Sequence, residues 1–260
     1  MNAFSTPGDV RQNISHVAQI IRGTKQRVVL SGAGISTPSG IPDFRSSGSG
    51  LWNRYDPFEV ASLRAFSYHP EKFFAWFRPL ATTICAALPN PAHQALARLE
   101  QAGYIQVIIT QNIDGLHQRA GASQVVEVHG SIRTLTCVHC FRQFTANGFI
   151  EPYLKRGDIP RCPDCHNILK PDAILFEEQL PLQAWQKATA ACKGCDFMLI
   201  AGSSLEVMPV AGLPMQALEN GARLVIVNQS PTYLDVRAEV LFQADVAEIL
   251  PLIALEVMGD

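Results

Sequence analysis

A short apolar run that opens into a glycine-rich turn is the feature that most constrains how this chain can fold. Residues 27–30 (RVVL) are followed by residues 31–36 (SGAGIS). In a nucleotide-binding βαβ unit, such a turn leaves backbone N–H groups beside a helix N-terminus, where they bind phosphate oxygens. Gly32 and Gly34 fit the fingerprint G-x-G-x-x-G, but Thr37 stands in the place of the third glycine. The turn alone therefore leaves two interpretations open, a phosphate site and an ordinary tight turn.

Two prolines follow the turn closely, and proline disfavours a helix interior. Pro38 and Pro42 therefore argue against a long helix after the glycines. We expect Asp43, Phe44 and Arg45 to lie on a loop that can fold over whatever the glycines bind.

Apolar runs that end in small or polar residues recur along the chain. They predict strands at 27–30, 105–109, 125–128, 197–201, 223–227 and 240–242, with helices at 9–23, 91–102, 182–191, 210–220 and at the C-terminus. This alternation indicates the α/β class, with a doubly wound, Rossmann-like parallel sheet. Ligands of such sheets bind at the carboxyl ends of the strands. Gly32, Asn112, Asp114, His129, Gly202 and Asn228 all fall there. Their convergence favours nucleotide binding.

The composition is that of a globular chain and argues against several functions. Of 260 residues, 47% are hydrophobic and 17% are charged. The net charge is −2 and no window is a dense Lys/Arg cluster, so we expect no direct nucleic-acid binding. Because we find neither a signal peptide nor an apolar run of about 18 residues, we expect a cytoplasmic protein without membrane association. The seven cysteines are then expected as thiols or metal ligands.

Two segments interrupt the alternation and predict a smaller, discontinuous domain. Residues 45–88 carry many aromatic side chains at helical spacing, so we interpret them as a helical insertion with its own aromatic core, to which Cys85 also belongs. Residues 131–175 combine cysteines, short β-like pieces and turns. The remaining residues, 1–44, 89–130 and 176–260, are predicted to form the nucleotide-binding domain.

Four cysteines in two C-x2-C pairs indicate a metal site. Cys137 and Cys140 form one pair, and Cys162 and Cys165 form the other. Two such knuckles can converge on one tetrahedral Zn²⁺. Four thiolates leave no open position for water, so the predicted zinc is structural. The alternative, two unrelated thiol pairs, requires chance placement at this spacing.

Other potential ligands lie nearby. Cys192 and Cys195 form a third pair, but they lie where a helix gives way to a strand, so we interpret them as buried thiols. His139 and His166 flank the knuckles and could replace a cysteine, although four cysteines already suffice.

The polar residues expected at the strand ends are few. They are Asn112, Asp114 and His129, joined by Ser36, Asp43 and Arg45 from the first loop. His129 follows a strand and precedes a glycine, which suits a catalytic base, although a lone histidine is more often a hydrogen-bonded structural residue. These residues are also compatible with a hydride transferase, but such an enzyme does not require a zinc knuckle inserted between the strand ends.

Longer motifs connect these residues. Besides the two cysteine pairs, they are GAGIS (32–36), SGIPDFR (39–45), TQNIDGLHQRAG (110–121), VHG (128–130), KPDAILFEEQLP (170–181), GSSLEVMP (202–209) and VN (227–228). In this order they resemble the sirtuins, a family of NAD-dependent protein deacylases. The resemblance is strongest to bacterial and archaeal members with a minimal catalytic core.

The resemblance implies NAD as a cosubstrate and a role for each motif. The turn Gly32, Ala33 and Gly34 would face the phosphates and ribose of NAD. A mobile loop over the cofactor would comprise Ile41, Asp43, Phe44 and Arg45. The adenosine half of NAD would contact Gly202, Ser203, Ser204, Asn228 and Val246. Gln111, Asn112 and Asp114 would hold the nicotinamide ribose and carboxamide, Ile113 would wall the nicotinamide pocket, and His129 would be the general base. Zinc would take no part in the chemistry.

The implied reaction transfers the acyl group of an acylated lysine to ADP-ribose and releases nicotinamide. Its substrates would be acylated-lysine proteins or peptides, and the peptide would lie as an added strand between the two domains. The implied substrate contacts are Phe176, Glu177, Glu178, Leu205 and Val207, with Phe176 and Val207 walling an apolar tunnel.

Departures from the family pattern affect specificity. Glu177 stands where a glycine lets the peptide approach closely, which leaves a preference for basic peptides open. The Tyr-x-x-Arg pair of desuccinylases is absent from the insertion, so acidic acyl groups are not favoured. One alternative is a mono-ADP-ribosyltransferase or NAD hydrolase, and the presence of His129 argues against it. Another is a non-catalytic NAD-sensing module, and the presence of Asn112, Asp114 and His129 argues against that. The physiological substrate, the preferred neutral acyl length and the oligomeric state stay open.

Overall fold

The computed structural model describes residues 7–44 and 50–259. The strands, numbered in chain order, are β1 (Arg27–Ser31), β2 (Val107–Thr110), β3 (Val125–Glu127), β4 (Gly130–Cys137), β5 (Gln143–Thr145), β6 (Leu169–Ala173), β7 (Phe197–Ala201), β8 (Arg223–Val227) and β9 (Val240–Phe242). The helices are α1 (Pro7–Gly23), α2 (Pro57–Val60), α3 (Leu63–Tyr68), α4 (Pro70–Ala86), α5 (Pro91–Gln101), α6 (Leu116–Arg119), α7 (Asn147–Arg156), α8 (Leu182–Gly194), α9 (Leu213–Glu219) and α10 (Val246–Met258).

The large sheet has six parallel strands in the order β3-β2-β1-β7-β8-β9. In β1 at its centre, Leu30 pairs with Ile109 on one side and with Ile200 on the other. Alternate side chains enter two cores: Leu199 packs in the one that includes α1, α5 and α10, and Ile200 in the one that includes α8 and α9. Burial on both faces explains the continuous apolar runs, and the predicted doubly wound fold is confirmed.

The strand ends and helix starts agree with the prediction apart from local differences. The strand expected at 105–109 runs from Val107 to Thr110. The helix expected at 210–220 is divided into a 3-10 turn, Val210–Gly212, and α9. Pro214 near the start of α9 explains the division, since proline lacks the N–H that an uninterrupted helix needs at that position.

The helical insertion and the cysteine-containing segment share one core. Phe66, Phe73, Phe74 and Phe77 pack there as predicted, but together with residues of the cysteine segment such as Tyr153, whose hydroxyl donates to the Phe74 carbonyl at 2.6 Å. The assignment of Cys85 to this core is wrong, because its side chain is exposed. It neighbours the buried Ile84 on α4, and consecutive residues of a helix point in different directions.

The cysteine segment folds around a three-stranded antiparallel sheet in the order β5-β4-β6. It also contains α7, which the sequence did not lead us to expect among the predicted β-like pieces and turns. The domain boundaries given above stay a prediction. In the described part of the chain, no helix has both the length and the apolarity to cross a membrane.

Candidate active site and metal centre

The glycine turn after β1 packs directly against the turn after β7. The Gly34 N–H donates to the Gly202 carbonyl at 2.8 Å, and Gly32 N–H donates to the Ala201 carbonyl at 3.2 Å. A Cβ built on Gly202, whose φ is +61°, would lie 2.3 Å from the Ile35 nitrogen. The close approach of the two turns therefore requires glycine at this position.

Asn112 and Asp114 are drawn together by Ser36. The Asn112 amide donates to the Ser36 hydroxyl at 3.1 Å and to the Gly32 carbonyl at 3.0 Å, and Ser36 donates to Asp114 Oδ2 at 2.7 Å. Asp114 Oδ1 accepts the Leu116 N–H at 2.8 Å. Burial raises the pKa of the Asp114 carboxyl, while these hydrogen bonds oppose the rise. The pair predicted from the strand ends is thus held rigidly by the glycine turn.

His129 lies between β3, which ends at Glu127, and β4, which begins at Gly130. Its Nδ1 is 3.1 Å from the Gln111 carbonyl oxygen. A carbonyl only accepts, so Nδ1 carries the proton and Nε2 keeps a free lone pair in the neutral ring. Burial lowers the pKa of His129, and the bond to Gln111 partly opposes this. The arrangement gives a neutral imidazole with one defined basic nitrogen.

A cavity of about 650 Å³ brings many of the predicted residues together. From the prediction, its lining includes Ala33, Ile41, Phe44, Gln111, Asn112, Ile113, Asp114, His129, Phe176, Glu177, Glu178 and Val207. Aromatic and aliphatic side chains of the insertion, among them Trp76 and Leu80, line it as well. The cavity is thus apolar with a few convergent polar groups, which is typical of small-molecule sites.

Other predicted residues lie outside this lining. Gly32, Gly34, Asp43, Gly202, Ser203, Ser204, Leu205, Asn228 and Val246 are not part of it, and Arg45 lies outside the described residues. Ser203 Oγ accepts from Gln111 Nε2 at 3.0 Å, and Asn228 Nδ2 donates to the Ser230 carbonyl at 2.7 Å. The side chains of Leu205 and Val246 are buried in the cores of the large sheet.

The segment around Phe176 is paired with the helical insertion. Phe176 N–H donates to the Ala61 carbonyl and Leu63 N–H donates to the Phe176 carbonyl, both at 2.9 Å. Glu177 is exposed with φ +73°, a conformation that favours glycine. Glu178 accepts from Lys170 Nζ at 3.0 Å, so its carboxylate is already engaged.

The four predicted metal ligands converge. Their Sγ atoms all lie within 4.8 Å of one another, with Cys137 to Cys165 at 3.4 Å and Cys140 to Cys162 at 3.7 Å. Sulfurs bound 2.3 Å from one tetrahedral zinc are about 3.8 Å apart, so the cluster fits Zn²⁺ with four thiolates. Cys192 and Cys195 are instead buried in the core beside α8, as predicted.

A buried layer of two histidines beneath the site was not predicted from the sequence. His93 and His117 are 0% and 1% exposed, and their rings meet edge to face at 4.9 Å. For His93 the available signal was its place on the buried face of α5, three residues before Leu96, because a polar side chain on such a face needs a buried partner.

The fold and the site define a class first: a Rossmann-like α/β protein with a structural zinc module beside its ligand cavity. The Sir2 family model matches residues 32–209, and the chain belongs to this family. The NAD-dependent protein deacylase 2 of Archaeoglobus fulgidus is 43% identical over 95% of this chain and 97% of its own length. The NAD-dependent protein deacetylase of Thermotoga maritima is 40% identical over 88% and 92%.

Solved structures agree with this family membership. A structure described in work on the mechanism and regulation of Sir2 enzymes has a TM-score of 0.89 and 42% identity, covering 96% of this chain and 99% of its own. A Sir2 structure with a p53 peptide and NAD+ has a TM-score of 0.84 and 37% identity, covering 94% and 98%.

Proposed function

We propose that this protein is an NAD-dependent protein-lysine deacylase that transfers the acyl group to ADP-ribose and releases nicotinamide. The observation that carries the proposal is His129, whose Nδ1 is fixed on the Gln111 carbonyl. His129, Asn112 and Asp114 all line the same apolar cavity. Similarity to relatives that are deacylases and deacetylases supports it, as does similarity to a Sir2 structure with a peptide and NAD+.

The residues present fit NAD as a cosubstrate. The glycine turn (Gly32, Ala33, Gly34) would face its phosphates. The N–H groups of Gly32 and Gly34 already donate to the Ala201 and Gly202 carbonyls, so these two glycines would contribute close backbone approach rather than hydrogen bonds. Gln111, Asn112 and Asp114 would hold the nicotinamide half, with Ile113 as a wall, and Gly202, Ser203, Ser204, Asn228 and Val246 the adenosine half. Ile41, Asp43, Phe44 and Arg45 would form the loop that covers it. When bound, NAD supplies a ribose carbon from which nicotinamide can leave.

His129 then has one defined task. Its Nε2 accepts a proton from a ribose hydroxyl, which makes that oxygen a nucleophile for the acyl carbon. The bond from Nδ1–H to Gln111 prevents ring rotation and stabilises the charge gained. Asn112 and Asp114 act earlier, on the release of nicotinamide. The zinc holds the smaller domain and takes no part in the chemistry.

The substrates are proposed to be acylated-lysine proteins or peptides, with no nucleic-acid partner. The acyl-lysine would pass between Phe176 and Val207, with Glu177, Glu178 and Leu205 as further contacts. We also propose a cytoplasmic location, because cysteines used as metal ligands and free thiols are typical of a compartment that keeps thiols reduced.

Product analysis tests the proposal. Incubation with NAD and an acetyl-lysine peptide should yield O-acetyl-ADP-ribose by mass spectrometry. His129→Ala should lower deacetylation about 10²- to 10⁴-fold while sparing exchange of labelled nicotinamide. Asn112→Ala should impair both activities, and His16→Ala, an exposed histidine on α1, should impair neither. Free or protein-bound ADP-ribose as the sole product would indicate an NAD hydrolase or ADP-ribosyltransferase instead.

A further inference from the structure

A polar layer lies beneath the candidate active site, between the ends of β1 and β2. Ser31 ends β1 and Thr110 ends β2, and both side chains are at most 2% exposed. The Ser31 hydroxyl donates to Thr110 Oγ1 at 2.9 Å. Thr110 Oγ1 also accepts the Asn112 N–H at 3.1 Å. The backbone of Asn112 is therefore connected to the side chains that join the two strand ends.

His117 contacts this layer from the short helix α6. Its Nε2 is 2.9 Å from Ser31 Oγ. Because the Ser31 proton is directed at Thr110, Ser31 Oγ can only accept here, so His117 carries its proton on Nε2. Nδ1 is then an acceptor, and it has no hydrogen-bond partner among the described residues. The His117 ring thus makes one directed hydrogen bond. Its partner, Ser31, is the last residue of β1, and the glycine turn begins directly after it.

The same ring supports a second polar chain. His117 packs edge to face on His93, whose Nδ1 accepts the Asn90 N–H at 3.4 Å. His93 Nε2 therefore carries the proton and lies 3.4 Å from Ser36 Oγ, which donates to Asp114. Burial lowers the pKa of His93 to about 4 and that of His117 to about 3, so both rings are neutral at working pH.

We infer that His117 is a positioning residue for nicotinamide release, acting through Ser31 and Thr110 on the backbone of Asn112. The inference rests on the proposed NAD chemistry. A displacement of about 1 Å in a reacting group can cost 10²-fold in rate, so a directed bond at the strand ends matters for turnover. Binding of NAD, which spreads over many contacts, should depend on it far less.

Two substitutions of His117 distinguish a positioning role from a packing role. In His117→Gln, the side-chain amide can reach the place of ring Nε2 and donate to Ser31. In His117→Asn, the amide reaches only the place of Nδ1, which has no partner among the described residues. Both variants are neutral and polar, so they differ mainly in whether the bond to Ser31 can form. Ser31→Ala removes the same bond from the other side, together with the bond from Ser31 to Thr110.

The readout is the rate of nicotinamide release from NAD, measured by exchange of labelled nicotinamide. His117→Asn and Ser31→Ala should each lower kcat about 10- to 100-fold with the KM for NAD nearly unchanged. His117→Gln should stay within about threefold of the parent protein. Because Ser31→Ala already removes the bond to His117, the double variant His117→Asn/Ser31→Ala should lose little more than Ser31→Ala alone. Thermal unfolding and zinc content of each variant complete the measurement.

Two results would overturn the inference: equal activity of the asparagine and glutamine variants, or losses that follow only the drop in Tm. The proposed function fails separately. If the parent protein releases nicotinamide but forms no O-acetyl-ADP-ribose, deacylation is excluded while the asparagine–glutamine contrast still decides the role of His117. If it releases no nicotinamide at all, both are excluded.

Discussion

Replacement of Gly202 by alanine should destabilise the protein where the turns after β1 and β7 meet. A Cβ at this position would lie 2.3 Å from the Ile35 nitrogen and 2.5 Å from the Gly34 carbonyl carbon. Real Cβ atoms do not approach backbone atoms so closely, so one of the two turns must move. That movement also weakens the 2.8 Å bond from the Gly34 N–H to the Gly202 carbonyl.

The magnitude follows from three contributions. A left-handed backbone costs a non-glycine residue about 1–2 kcal/mol, and overpacking costs about 1–3 kcal/mol more. Weakening one buried hydrogen bond adds about 1 kcal/mol. We therefore expect the free energy of unfolding to fall by about 3–6 kcal/mol, which is a large part of the 5–15 kcal/mol typical of a domain.

The assay is urea unfolding of Gly202→Ala beside Gly221→Ala. Gly221 also has a positive φ, +87°, but no described atom lies within 4 Å of the added Cβ. The control should lose only the conformational contribution of about 1–2 kcal/mol. Its affinity for NAD, measured by calorimetry, should be unchanged, whereas that of Gly202→Ala should fall. Equal losses of stability in the two variants would refute the argument from close contact.

Three further predictions concern metal, pH and acyl group. Cys137→Ala should lose zinc and thermal stability together, whereas Cys192→Ala should keep about one zinc per chain; zinc loss in the latter would contradict the assigned ligand set. Burial lowers the pKa of His129 below its ordinary 6.5, and the neutral ring is the base. The deacetylation rate should therefore fall with decreasing pH only below pH 6.5 and be flat above it. A pH–rate profile whose acidic decline is centred above pH 6.5 would contradict this. Acetyl and longer neutral acyl-peptides should react more than about 100-fold faster than succinyl-peptides, because an unpaired carboxylate between Phe176 and Val207 costs several kcal/mol; comparable turnover in a peptide-panel assay would refute an uncharged tunnel.

Features encoded in short stretches were predictable from the sequence. The strands are buried on both faces, so runs such as 197–201 are apolar throughout, and the sheet class follows from their alternation with helices. The zinc ligands follow from the spacing of two cysteine pairs. Asn112, Asp114 and His129 were found because the carboxyl ends of parallel strands meet at one edge.

Features that depend on distant partners were not predictable in this way. Whether Cys85 faces the core depends on the rotation of α4 against the cysteine segment, and α7 forms although Pro152 favours a turn. His117 hydrogen-bonds Ser31 across 86 positions in sequence, and that contact arises only because β1 and β2 are neighbours in the sheet. Local sequence patterns record which face of an element is apolar, whereas the partner of a buried polar group is chosen by strand order and helix packing. The sequence by itself therefore determined the fold class, the metal site and the polar groups of the cavity, and only the tertiary structure decided what holds those groups in place.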